Sequence, residues 1–143
     1  MSGMSASGRC LCGGVQFTAA GVPGVVSVCH CDICRRWIGG PMMAVHPEGG
    51  IEFQADGTLV WYRSSDWAER GFCSTCGSSL FYRLSEQPDY VAIGAGVLDP
   101  AEAYSGIENH IFVDEKPGFY EFADDAPRRT GAEVIAEFSG EEQ

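Results

Sequence analysis

Strand patterns dominate the chain: short apolar or β-branched runs, some of them alternating with polar residues at a period of two. That period puts successive side chains on opposite faces of an extended strand. The pattern predicts strands over "GGVQFTAAG" (13–21), "GVVSVCHC" (24–31), "MMAVHP" (42–47), "IEFQA" (51–55), "TLVWYRS" (58–64), "DYVAIGAGVL" (89–98) and "ENHIFVDE" (108–115). "AERGFCSTCGSSLFYRL" (68–84) reads as a strand, a cysteine turn and a second strand. Glycine and proline punctuate these runs, as at Gly39–Pro41, Gly49–Gly50 and "ADG". Helical periodicity is scarce. "DICRRW" breaks toward one helical turn, and "DPAEAY" predicts another with Asp99 as N-cap and Pro100 at the first helical position.

Many short strands separated by turn signals predict an all-β fold. No repeat or internal linker divides it, so residues 1–128 are expected to form one domain. Residues 129–143 are acidic and sparsely apolar, and are expected to be a loose tail, with room for one short element at "EVIAEF".

Charge narrows the partners. Twenty acidic residues against nine basic ones give a formal net charge of −11. Nucleic acid demands a basic face that displaces counterions, so it is not expected as a partner, and neither is an anionic membrane. "MSGMSASGRC" holds no apolar stretch suited to secretion, and no apolar run approaches a membrane span. A cytoplasmic protein is the expectation. Grouped cysteines in a reducing compartment point to metal or redox chemistry more than to disulfides.

The seven cysteines fall into "CLC" (10–12), "CHCDIC" (29–34) and "CSTC" (73–76). Residues i and i+2 of a strand share a face, which would place the Cys10 and Cys12 sulfurs together. A C-x-x-C turn does the same for Cys73 and Cys76, with Gly77 relieving the backbone behind them. Two such pairs are expected to make a closed four-cysteine zinc site of the structural kind, the alternatives being free buried cysteines or a redox C-x-x-C. Cys29, Cys31 and Cys34 remain. With the strand continuing to 31, Cys29 and Cys31 share a face, His30 points away, and the turn returns Cys34 beside Cys31. Three thiolates can then meet one metal. Its fourth position is either open, as in catalytic zinc sites, or filled by His110, His46 or a carboxylate. Three thiolates make zinc a weak Lewis acid, poorly suited to making hydroxide. Such a zinc can still hold a thiol deprotonated, and the thiolate is the reactive form of sulfur.

The ordered set "CLCGGVQF", "CHCDIC", "GFCSTCGSSLFY" and "ENHIFVDEKPGFYEF", spanning roughly residues 8–128, resembles the glutathione-dependent formaldehyde-activating family that includes centromere protein V. The resemblance implies a tent-like fold of short antiparallel sheets stapled by zinc at Cys10, Cys12, Cys73 and Cys76. It implies a second, catalytic zinc at Cys29, Cys31 and Cys34, with the fourth place open to glutathione sulfur. The implied activity is that of a carbon–sulfur lyase, joining glutathione and formaldehyde into S-hydroxymethylglutathione. Glutathione carries two carboxylates, for which Arg35 and Arg36 are the first candidate partners. Trp37, His110 and Lys116, with Phe119, are candidates to line the pocket. A glutathione-adduct carrier and a non-catalytic zinc-stabilised binding module are the competing functions.

Overall fold

The computed structural model describes residues 4–141. Among the described residues, twelve strands build two sheets, and two α-helices accompany them. The first sheet has four strands in the order β10-β1-β2-β5, comprising β1 (Met4–Arg9), β2 (Gln16–Val22), β5 (Ile51–Ala55) and β10 (Leu98–Asp99). The second begins with β3 (Val25–Cys29), β4 (Met42–Val45) and β6 (Leu59–Arg63), and continues with β7 (Ala68–Cys73), β8 (Ser79–Leu84) and β9 (Gln87–Gly94). It is completed by β11 (Gly106–Ile111) and β12 (Arg128–Arg129), in the order β12-β11-β3-β4-β9-β8-β7-β6. The expected all-β, tent-like architecture is therefore what the chain adopts. Pairing is antiparallel throughout, except that β11 runs parallel to both β3 and β12.

Alternation explains the layering. Phe17 and Ala19 in β2 face inward, while Gln16 faces out. They meet Leu80, Phe81 and Ile93 of the second sheet in one apolar core. The Phe17 and Phe81 rings pack edge-on with centroids 5.0 Å apart, a favoured aromatic geometry. β1 lies directly against the Phe17 ring, and a Cβ on Gly8 would come within 2.3 Å of it. A second, smaller core gathers Cys34, Met42, Ala44 and Ala92, with Cys29, Cys31, Trp37 and Tyr82 around it.

Three local expectations are corrected. β3 ends at Cys29, and α1 (Asp32–Ile38) follows with Cys31 as its N-cap. The strand does not reach Cys31, because the Cys31 sulfur accepts the Cys34 N–H and starts the helix. Asp99 caps no helix: it pairs with Ser7 in β10, and the following single turn, Ala101–Ala103, starts from Pro100 without a side-chain cap. Cys12 lies in a turn and not on a strand, since β1 stops at Arg9. Within the segment expected to be a tail, α2 (Gly131–Glu141) forms. Thr130 and Glu133 exchange backbone hydrogen bonds at its start in a capping box, and Val134 is buried.

Replacing Gly8 by alanine forces the fixed Phe17 ring to move. The expected loss is ~1–3 kcal/mol, the usual range for overpacking. A lowered denaturant midpoint at unchanged slope checks it.

Two candidate metal centres

The first centre is built by two turns. After β1, the Gly13 N–H donates to the Cys10 carbonyl at 3.2 Å, and Gly13 adopts φ +84° to close the turn. After β7, the Gly77 N–H donates to the Cys73 carbonyl at 2.8 Å with φ +79°. Both glycines occupy the left-handed region that a side chain would strain. Backbone N–H groups then aim at sulfur, Val15 at Cys10 Sγ (3.3 Å) and Gly14 at Cys12 Sγ (3.4 Å). Ser78 joins the turns, its hydroxyl accepting from Leu11 N–H and lying 3.2 Å from Cys76 Sγ. Thr58 Oγ1 sits 3.3 Å from Cys73 Sγ. The hydroxyl of Ser78 is the main reason the Cys76 thiol is held down to about 5.

Four sulfurs bound tetrahedrally at ~2.3 Å from zinc lie ~3.8 Å apart. Cys10 and Cys12 sulfurs are 3.7 Å apart, as are those of Cys12 and Cys73, and all four lie within 4.8 Å of one another. The donor set and its spacing fit a four-cysteine zinc site. Thus the C-x-C pair does converge, but through a turn and not through strand periodicity.

The second centre sits where β3 meets α1. Cys29, Cys31 and Cys34 sulfurs lie within 4.8 Å of one another, and among the described residues no His, Asp or Glu joins them. The Cys31 thiol is lowered to about 2, chiefly by hydrogen bonds from Cys29 and then Cys34. The Cys29 thiol is pushed up, first because it donates to Cys31. Three sulfurs so arranged suit a soft divalent cation with one coordination position left for another ligand.

His30 points away from the metal side, as expected, into a buried chain of hydrogen bonds. Its Nδ1 meets the Tyr120 hydroxyl at 2.8 Å and its Nε2 meets His110 Nδ1 at 2.9 Å. His110 Nε2 reaches the Asp124 carboxylate at 3.0 and 3.1 Å. A carboxylate only accepts, and that sets the direction. His110 donates to Asp124, and with a neutral His110 ring His30 donates to His110 and Tyr120 donates to His30. Burial lowers His30 to about 4, so its ring is neutral in this chain. With both ring nitrogens engaged, His110 is no metal ligand. Tyr120 and Asp124 escaped the sequence reading, although Tyr120 lies inside "ENHIFVDEKPGFYEF".

The other candidates surround this centre unequally. Arg35 and Arg36 both approach Asp32, at 3.5 and 3.0 Å. Arg35 Nε is buried without a hydrogen-bond partner among the described residues, whereas the Arg36 side chain is 78% exposed. Trp37 packs beside the cysteines. The Lys116 ammonium donates to the carbonyls of Pro117 and Tyr120. A cavity of about 190 Å³ is lined by His30, His110, Val113, Lys116, Glu121 and Arg128. A larger one, about 360 Å³ around His46 and Tyr90, has no cysteine in its wall. His46 lies there and not in either cysteine cluster. Phe119 is exposed.

The family model for glutathione-dependent formaldehyde-activating enzyme matches residues 5–115. The chain belongs to that family. A Schizosaccharomyces pombe protein named as an uncharacterized lyase is 32% identical over 133 residues, covering 90% of this chain and 93% of the relative. A Halomonas elongata protein named for glutathione-dependent formaldehyde activation is 28% identical over 127 residues, covering 82% and 81%. A crystal structure of a Rhodobacter sphaeroides protein shares the fold, with TM-score 0.54 and 18% identity over 85% of this chain and 98% of that one. No helix among the described residues is long and apolar enough to cross a membrane.

Structural zinc contributes its binding free energy to folding, ~10–16 kcal/mol in small zinc domains near neutral pH. Cys73→Ser is therefore expected to abolish cooperative thermal unfolding. Cys34→Ser, at the three-sulfur centre, is expected to keep it. Circular dichroism melts of the two variants check this.

Proposed function

We propose that this chain is a zinc-dependent lyase that joins a small thiol of the glutathione class to formaldehyde or another small aldehyde. The observation that carries the reading is the three-sulfur centre, for which the described residues offer no fourth ligand. Zinc held by Cys29, Cys31 and Cys34 would supply one thing, a position where a thiol is kept as thiolate. A second zinc, at Cys10, Cys12, Cys73 and Cys76, would be structural. The family match and the relatives' names favour glutathione and formaldehyde as the substrates.

The chain's own residues do the positioning. α1 returns Cys34 beside Cys31 and presents Arg35 on the same turn. The unpartnered Arg35 Nε suits a carboxylate of the thiol substrate, because a guanidinium recognises carboxylates in a fixed geometry. Arg36, exposed and paired with Asp32, is the weaker candidate. The Tyr120–His30–His110–Asp124 chain of hydrogen bonds holds the β3–β11 junction behind the cysteines in one arrangement. All seven cysteines are free thiols here, which fits a reducing compartment such as the cytoplasm.

Native mass spectrometry tests the binding. The parent is expected to carry two zinc ions and to gain one glutathione, which Cys34→Ser loses while one zinc remains. A parent that holds two zinc ions yet never binds glutathione contradicts the reading. Adduct formation above the spontaneous rate, followed by NMR, separates an enzyme from an adduct carrier.

Arg35→Ala removes one charge-assisted hydrogen bond, worth ~1.5–3 kcal/mol. Glutathione affinity should fall by roughly 10–100-fold at an unchanged zinc count. Calorimetric titration measures it.

A further inference from the structure

Arg70 is 3% exposed, a degree of burial arginine tolerates only when its charge is met. Among the described residues no carboxylate forms an ion pair with it. Its partners are of another kind. Nη1 donates to Cys34 Sγ at 3.3 Å, and Nε donates to Ser64 Oγ at 3.1 Å. The guanidinium carbon lies 5.3 Å from the Trp37 ring centroid and 5.0 Å from that of Tyr82. Two aromatic faces attract a cation but do not neutralise it. Among the described residues, the group it donates to that can become an anion is the Cys34 sulfur.

The sequence places this charge close to both centres. Along β7, alternate residues face opposite sides of the sheet. Arg70 falls on the side of the second core, where it pairs in register with Tyr82 of β8. Cys73, at the end of the same strand, falls on the other side and enters the first centre. One strand thus supplies a ligand to one centre and a cation to the other.

We infer that Arg70 is a positioning residue for the second centre: its guanidinium supplies the counter-charge to the thiolates of Cys29, Cys31 and Cys34 and holds the Cys34 sulfur in place. Three thiolates around a divalent cation leave one net negative charge, which a buried site cannot carry cheaply. Arg70 cancels it. A fourth, incoming thiolate then adds one negative charge to a neutral assembly and not to an anionic one. Arg70 therefore favours both metal retention and thiol entry. The inference rests on the reading of these three cysteines as zinc ligands.

The test uses the full chain with both metal ions loaded, comparing the parent, Arg70→Gln and Arg70→Lys. Zinc is withdrawn by titration with a competing chelator. In parallel, cobalt replaces zinc and its thiolate-to-metal charge-transfer bands are recorded. Outer partners of metal ligands are typically worth ~10–100-fold in affinity. Arg70→Gln is expected to weaken the second zinc by about that factor and to shift its cobalt bands, leaving the first zinc as in the parent. Arg70→Lys keeps the charge without the planar fork and should fall between the two. Equal second-zinc affinity in all three proteins overturns the inference, as does equal weakening of both centres. If Arg70→Gln does not fold, Arg70→Lys decides: shifted bands at parental circular dichroism support the inference, and unmoved bands overturn it. A parent that binds no metal at Cys29, Cys31 and Cys34 refutes the underlying reading; two zinc ions with Arg70 variants unaffected refutes this inference alone.

Discussion

The meeting of two turns, one after β1 and one after β7, is the constraint on which the rest depends. Each turn closes on a left-handed glycine and aims backbone N–H groups or hydroxyls at sulfur. Together they bring four sulfurs to the spacing of a zinc tetrahedron, with Cys12 and Cys73 separated by 61 positions in sequence. One turn belongs to each sheet, so their junction pins the two sheets at one end of the shared core. It also consumes four of seven cysteines. The remaining three are left with one another.

Electrostatics then shape the second centre. The chain as a whole is strongly acidic, yet two arginines stand beside Cys34, with Asp32 paired to Arg35 at the start of α1. Arg70 reaches the Cys34 sulfur from the sheet, and Arg35 follows Cys34 on α1. Behind them, burial keeps His30 neutral, and His110 donates to Asp124. Two arginines this near Cys34 suit an anionic ligand, whatever the net charge of the protein says at a distance.

Much of this was legible in the sequence, for physical reasons that differ by element. "IEFQA" was read to the residue because its alternation is clean and its flanks are glycines and an Asp-Gly turn. The cysteine grouping was legible because metal-ligand spacing is local within each pair. β1 was not, since its inward residues are Ala6 and Gly8, the latter kept small by the Phe17 ring, and small residues leave no apolar signal. The parallel pairing of β11 with β3 joins segments about 80 residues apart, beyond any local pattern. Nothing in the strand pattern of "AERGFC" singles out Arg70. Its meaning comes from Cys34, Trp37 and Tyr82, which only the folded sheet brings to it. Asp124 and Tyr120 were hidden in the same way.

The central claim is that one zinc has four protein sulfurs and the other has three plus a place for a thiol. X-ray absorption at the zinc edge of the two-zinc protein tests it most directly. Averaged over both ions, the account predicts about 3.5 sulfur neighbours at ~2.3 Å without added thiol, rising to about 4 with glutathione. A count of four before glutathione, or one that glutathione leaves unchanged, would contradict it.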